Sequence, residues 1–155
     1  MTKLVNLLTH ELEVLDEGPA GHRFSADSLG GDLGASLTGC GLYELEPGEA
    51  TWPYHFELNE EEWLIVIAGE VTLRTPDGER VLRAGDTACF PAGAAGAHAM
   101  RNAGSETARF AMPSSSSRYA DGAVYPDSGK FVLRGPGFTH RGKLGEAVDY
   151  WDGEA

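Results

Sequence analysis

Between Cys40 and Tyr125 this chain never runs far without a turn residue. Breaks fall at Glu46-Pro47-Gly48, Ala68-Gly69-Glu70, Pro76-Asp77-Gly78, Arg83-Ala84-Gly85-Asp86 and Asn102-Ala103-Gly104, and at Pro113 with the serines behind it. The runs between them, such as CGLYELE, EWLIVIA, EVTLRT, ERVLRA and DTACFPA, have the length of strands. No 3.6-residue apolar period persists through them, so helices are not expected here. Pro76-Asp77-Gly78 sits between two such runs and predicts a tight hairpin, because Asp and Gly accept the backbone angles that turn needs. The spacing predicts an all-β sandwich or barrel over residues 39–125.

The flanks read differently. Residues 1–38 join a short LVNLL piece to a polar, glycine-rich stretch, which predicts an N-terminal arm with one strand packed on the body. Residues 126–155 are polar and glycine-rich, which predicts an extended C-terminal tail over the surface, anchored by Val148, Tyr150 and Trp151. The total of 155 residues suits one domain with a single core.

Charge narrows the partners. With 24 acidic and 12 basic residues the net charge is −12, which repels phosphate backbones and anionic membranes. Neither nucleic acid nor membrane is therefore an expected partner, although a local basic pocket stays open. No apolar run has the length to cross a bilayer. The N-terminus has acids inside its apolar stretch and no small-residue cleavage site, so no signal peptide is expected and the expected location is cytoplasmic. Cys40 and Cys89 are too far apart for a local zinc or redox pair and read as buried thiols.

Chemistry concentrates in two segments. In a strand, alternate residues share a face. His55 and Glu57 then point the same way, Glu62 goes with Leu64 and Val66, and His98 goes with Met100 and Asn102. A hairpin between the His55 and Glu62 strands would gather His55, Glu57 and Glu62, and barrel closure would add His98. Imidazoles and carboxylates so gathered make a divalent-metal site. The plainer alternatives are two backbone-bonded histidines and a solvated Glu60-Glu61-Glu62 run; parity and spacing single out Glu62 from that run. The opposite face, Trp63, Ile65 and Ile67, is strongly apolar and predicts a second sheet or a second copy of the chain, hence a homodimer. His10, His22 and His140 lie outside both segments and read as surface histidines.

Gly48, His55, Glu62 and Gly69, then Gly85, Pro91, Gly93, His98 and Asn102, resemble the two ordered motifs of the cupin family over roughly residues 40–113. The 15 residues between Gly69 and Gly85 resemble the short spacing of small bacterial members, as do the PDSGK and DYWDGE segments. The resemblance implies a jelly-roll β-barrel, one divalent ion per chain and a small-molecule ligand or substrate. It implies His55, Glu62 and His98 as ligands. Glu57 stands where the family has its second histidine, and two roles stay open for it. As a fourth ligand it makes a harder donor set that favours Mn, Fe, Ni or Zn over Cu. Unligated, it stands beside the ion as an acid or base. The implied function is a metal-dependent enzyme on a small polar molecule, with isomerase, lyase and dioxygenase chemistry all open. The alternative is a non-catalytic binding or sensor module.

Overall fold

A computed structural model describes residues 2–16, 18–115 and 120–154. In chain order the elements are β1 (Glu13–Leu15), β2 (Phe24–Ser28), a short α1 (Leu29–Leu33), β3 (Thr38–Leu45), β4 (Phe56–Glu57), β5 (Glu62–Ala68), β6 (Glu70–Thr75), β7 (Gly78–Arg83) and β8 (Thr87–Phe90). After a 3-10 turn (Ala94–Gly96) come β9 (Ala99–Arg101), β10 (Ala108–Ser115), β11 (Asp121–Tyr125), β12 (Lys130–Gly135) and β13 (Phe138–Lys143). The fold is the all-β jelly roll. One sheet has the order β1-β2-β3-β10-β5-β8, a second β13-β12-β11-β4, a third β7-β6-β9, and every pairing is antiparallel. No helix among the described residues is long and apolar enough to cross a membrane.

The expected hairpin is present: Thr75 pairs with Gly78 across Pro76-Asp77. Gly69 turns β5 into β6 at positive φ, and a Cβ there would come within 2.6 Å of the Thr107 carbonyl oxygen, which leaves room for glycine alone. The barrel interior is filled by Leu64 and Val66 of β5, Val71 and Leu73 of β6, Met100 of β9 and Phe110 of β10. A second cluster lies on the outer face of the six-stranded sheet, where Leu42 and Ala111 meet Leu29, with Val5, Leu12 and Ile67 at its edge. Arg109 projects from β10 into the arm that makes this cluster and donates to the carbonyls of Leu7 and His10, both at 2.6 Å, while pairing with Glu44.

Several expectations from sequence need correction. β4 and β5 do not form a hairpin: β4 pairs with β11, and β5 lies in the other sheet between β10 and β8. Residues 130–143 are not loose, because β12 and β13 extend the sheet that begins at β4. Val148, Tyr150 and Trp151 are all exposed and anchor nothing. Cys89 is exposed and Cys40 only half-buried, since both alternate outward on their strands.

Candidate metal centre

The two histidines meet because the segments carrying them run side by side. Gly48 N–H donates to Asn102 O, Asn102 N–H to Glu49 O, and Thr51 N–H to Met100 O. His55 and His98 then exchange both backbone hydrogen bonds, at 3.1 and 2.8 Å. Directly paired residues project to the same face. The rings accordingly lie with centroids 4.8 Å apart inside the barrel. Asn102 itself is spent on the backbone: its amide donates to Leu45 O and Glu106 O, both at 2.8 Å.

Each imidazole is fixed from behind. His55 Nδ1 donates to Pro53 O at 2.8 Å, and His98 Nδ1 to Gly96 O at 2.9 Å. A carbonyl can only accept, so each Nδ1 carries the hydrogen, and in the neutral ring each Nε2 has a free lone pair. Gly96 is held to that role: a Cβ would fall 1.9 Å from Pro91 O. Phe90 stacks on His98 at 3.9 Å and Tyr125 on His55 at 5.5 Å.

Carboxyls approach from opposed sheets. Glu62 Oε2 lies 3.4 Å from His98 Nε2, and Glu57 Oε1 lies 3.6 Å from His55 Nε2. The side chains are only 19% and 12% exposed, and His98 1%. One donor atom each from His55, Glu62 and His98 lie within 4.8 Å of one another, a group that could hold a metal ion. Glu57 stands beside that group, against His55. Buried with no hydrogen-bond partner are Glu57 Oε2, Glu62 Oε2 and His98 Nε2. Leaving such atoms bare costs about 1–3 kcal/mol each, and two of them, on Glu62 and His98, belong to the three-residue group, which fits a cation that engages them.

The electrostatics agree. Burial, with the repulsion of Glu62 and Asp121 behind it, pushes Glu57 up to about 8, although the Arg134 guanidinium pulls the other way. Burial, then Glu60 and Asp121, pushes Glu62 up to about 7, again against Arg134. Burial holds His98 down to about 4 and also lowers His55. Without a cation, burial favours the protonated acids and the neutral imidazoles. A divalent ion supplies the charge that both carboxylates lack.

Two clefts adjoin the centre and share Leu15 and Trp52. One, of about 400 Å³, opens over Glu62, with Tyr43 and Met112 in its wall. The other, of about 310 Å³, is walled by Phe24, Pro53 and Tyr125, with Lys130 at its edge. Tyr125, Lys130 and Arg134 belong to neither motif in the sequence. The residues Lys130, Val132 and Arg134 do alternate at strand period, a signal the polar composition of the tail obscured.

The family model described as a cupin domain matches residues 41–113. Residues 41–113 are therefore a cupin domain. This cupin is similar, at 25% identity and a TM-score of 0.81, to an Acidithiobacillus ferrooxidans protein provisionally described as a sugar phosphate isomerase, over 94% of this chain and 97% of that one. A sugar phosphate isomerase of the cupin superfamily from Silicibacter pomeroyi matches at 24% identity and a TM-score of 0.81, over 96% and 98%. The polyketide cyclase RemF from Streptomyces resistomycificus matches at 22% identity and a TM-score of 0.60, over 74% and 80%. The last two likenesses speak to the fold alone. No curated protein matches the chain.

Proposed function

We propose that this cupin is a metal-dependent enzyme that moves a proton on a small hydroxy-carbonyl compound, an isomerase-type reaction. His55, Glu62 and His98 hold the ion, one of Mn, Fe, Ni or Zn, and Glu57 is the acid–base. The observation that carries the reading is the close group of His55, Glu62 and His98 donors, in which Glu62 Oε2 and His98 Nε2 are buried and unpartnered, with the buried carboxyl of Glu57 beside His55. The bound ion supplies a Lewis acid that polarises a substrate oxygen and so acidifies the neighbouring C–H.

The protein's own groups do the rest. Two backbone carbonyls and two stacked rings fix the imidazoles, so the donor set is rigid before ligand arrives. Glu57 is buried and raised toward neutrality, which suits a group that takes and returns one proton. Trp52 and Tyr43 wall the cleft above Glu62, through which a small molecule reaches it. Sugar phosphates are the substrate class suggested by the Acidithiobacillus ferrooxidans protein, which matches over nearly its whole length. A second copy of the chain on the Trp63–Ile65 face is part of the same reading.

The test is Glu57→Gln in D2O with a panel of aldose and ketose phosphates, following C–H for C–D exchange by proton NMR. Metal content stays at the wild-type level, and exchange falls by about a hundredfold or more. Loss of metal instead makes Glu57 a ligand. Undiminished exchange removes it from the chemistry.

A further inference from the structure

The register of the four-stranded sheet ties the metal centre to a line of cations. Directly opposed residues of antiparallel strands project to one face. Glu57 pairs with Ala123, Ala123 with Val132, and Val132 with Arg141. Ala123 and Val132 are buried, so this is the face turned into the barrel. Lys130 and Arg134 flank Val132 on that face, and Lys143 lies opposite Lys130. Four of the chain's 12 basic residues therefore share the face that presents Glu57.

Most of the other described cations are ion-paired; these are not. Arg23, Arg74, Arg83, Arg101 and Arg109 each meet a carboxylate. Among the described residues Arg134, Arg141 and Lys143 meet none. Asp121 is opposite Arg134 in the ladder, but its Oδ1 accepts from Asn59 N–H at 3.1 Å. Lys130 sits over the Tyr125 ring at 4.0 Å, and that ring stacks on His55, so an ammonium stands one ring beyond the metal ligand. A chain of net charge −12 repels anions at long range, and the β12–β13 part of this face, where every charge is positive, counters that locally, while the acids Glu57 and Asp121 lie on its β4–β11 part.

We propose that this face is an anion-binding subsite, in which Lys130, Arg134 and Arg141 take the phosphate of a phosphorylated substrate whose other end reaches His55, Glu62 and His98. The inference rests on the catalytic reading above and adds to it the substrate's charged group and the residues that hold it. Three cations on one face suit a dianion better than a carboxylate, and the two guanidinium forks match phosphate geometry. From Glu57 to Arg141 is three strand steps, about 14 Å between backbones, which a small phosphorylated sugar bridges once the arginine side chain is counted.

The probe is inorganic phosphate, titrated into the purified protein with the ion it carries and followed by calorimetry at low salt. Wild type binds. Arg134→Gln and Arg141→Gln each bind about tenfold more weakly, the size of one lost charge-assisted hydrogen bond. Arg80→Gln, an exposed change on β7, binds like wild type. His98→Ala loses its metal and keeps its phosphate. The subsite is refuted if wild type does not bind, if both hairpin variants bind like wild type, or if His98→Ala alone loses phosphate, since the anion would then sit on the ion. Phosphate binding with hairpin dependence in a protein that never takes up metal keeps the subsite and sinks the catalytic reading, so the two failures are distinct.

Discussion

The two faces of β5 break the ordinary burial rule in opposite directions. Inward, Leu64 and Val66 are joined by Glu62, a carboxyl with an unpartnered buried oxygen. Outward, Trp63 and Ile65 are 46% and 39% exposed. The inner anomaly costs desolvation, and the outer one leaves apolar area in water. A cation offsets the first, and a covering surface offsets the second. The outer sheet face is itself divided. Its β3 and β10 side is covered by Val5, Leu12 and Leu29 and clasped through Arg109; its β5 and β8 side, with Trp63, Ile65 and Cys89, is not.

The sharpest way to break this contrast is to empty the inside. His98→Ala removes a donor from the three-residue group, and metal affinity falls by about 3 kcal/mol, roughly a hundredfold, taking an equal share of a full ligand set. Elemental analysis after dialysis against a weak chelator reads it; equal metal in variant and wild type would remove His98 from the centre. On the outer face, Arg109→Ala leaves Glu44 without its partner and frees the carbonyls of Leu7 and His10. It costs about 3 kcal/mol in urea unfolding, the scale of a largely buried charge losing its mate. Limited proteolysis then cuts the arm first, whereas uniform cutting would show that the clasp does not hold it.

Next is the pH dependence of the metal-free protein. Glu57 and Glu62 titrate near 8 and 7 in the fold, against 4.5 ordinarily. A carboxyl raised in the folded state stabilises the fold below its unfolded pKa and loses that contribution as pH climbs through the folded value. The lowered histidines act at the acid end and leave the window from about 6.5 to 8.5 to the carboxyls. Metal-free protein therefore loses about 2 kcal/mol across that window. With metal bound, the ligand Glu62 stays ionised and its share of the loss disappears. A flat profile without metal would mean that the acids are already ionised and solvated.

What the sequence revealed follows the range of the interaction. The faces of β5 were legible because alternation is local, and Glu62, Leu64 and Val66 do turn inward together. The placing of His55 beside His98 was legible in outcome and hidden in means: it depends on residues 48–55 lying along 98–102, a pairing no local pattern encodes. The same limit explains the failed hairpin of β4 and β5. The Asn59 amide turns instead toward Asp121 and Ala120, which fastens β4 to β11. In the tail, low apolar content hid β12 and β13, whose inward positions are mostly cations flanking one buried valine.

The smallest effect on the fold itself tests the uncovered half of the outer face. Trp63 and Cys89 are direct partners across β5 and β8, and Ile65 faces Thr87 one step along, so the exposed apolar positions are contiguous. Contiguous apolar surface on a sheet face is where a second copy gains most from association. Trp63→Glu removes one such anchor and adds a charge that a twofold interface would bring close to its own copy. Because Trp63 is half exposed already, the unfolding free energy of the isolated chain shifts by only about 0.5 kcal/mol. Light scattering at micromolar concentration reads the association: wild type runs at twice the chain mass and the variant at the chain mass, with metal content unchanged in both. A wild-type monomer would mean that this face stays in water, and the parallel between the two faces of β5 would then end at the metal side.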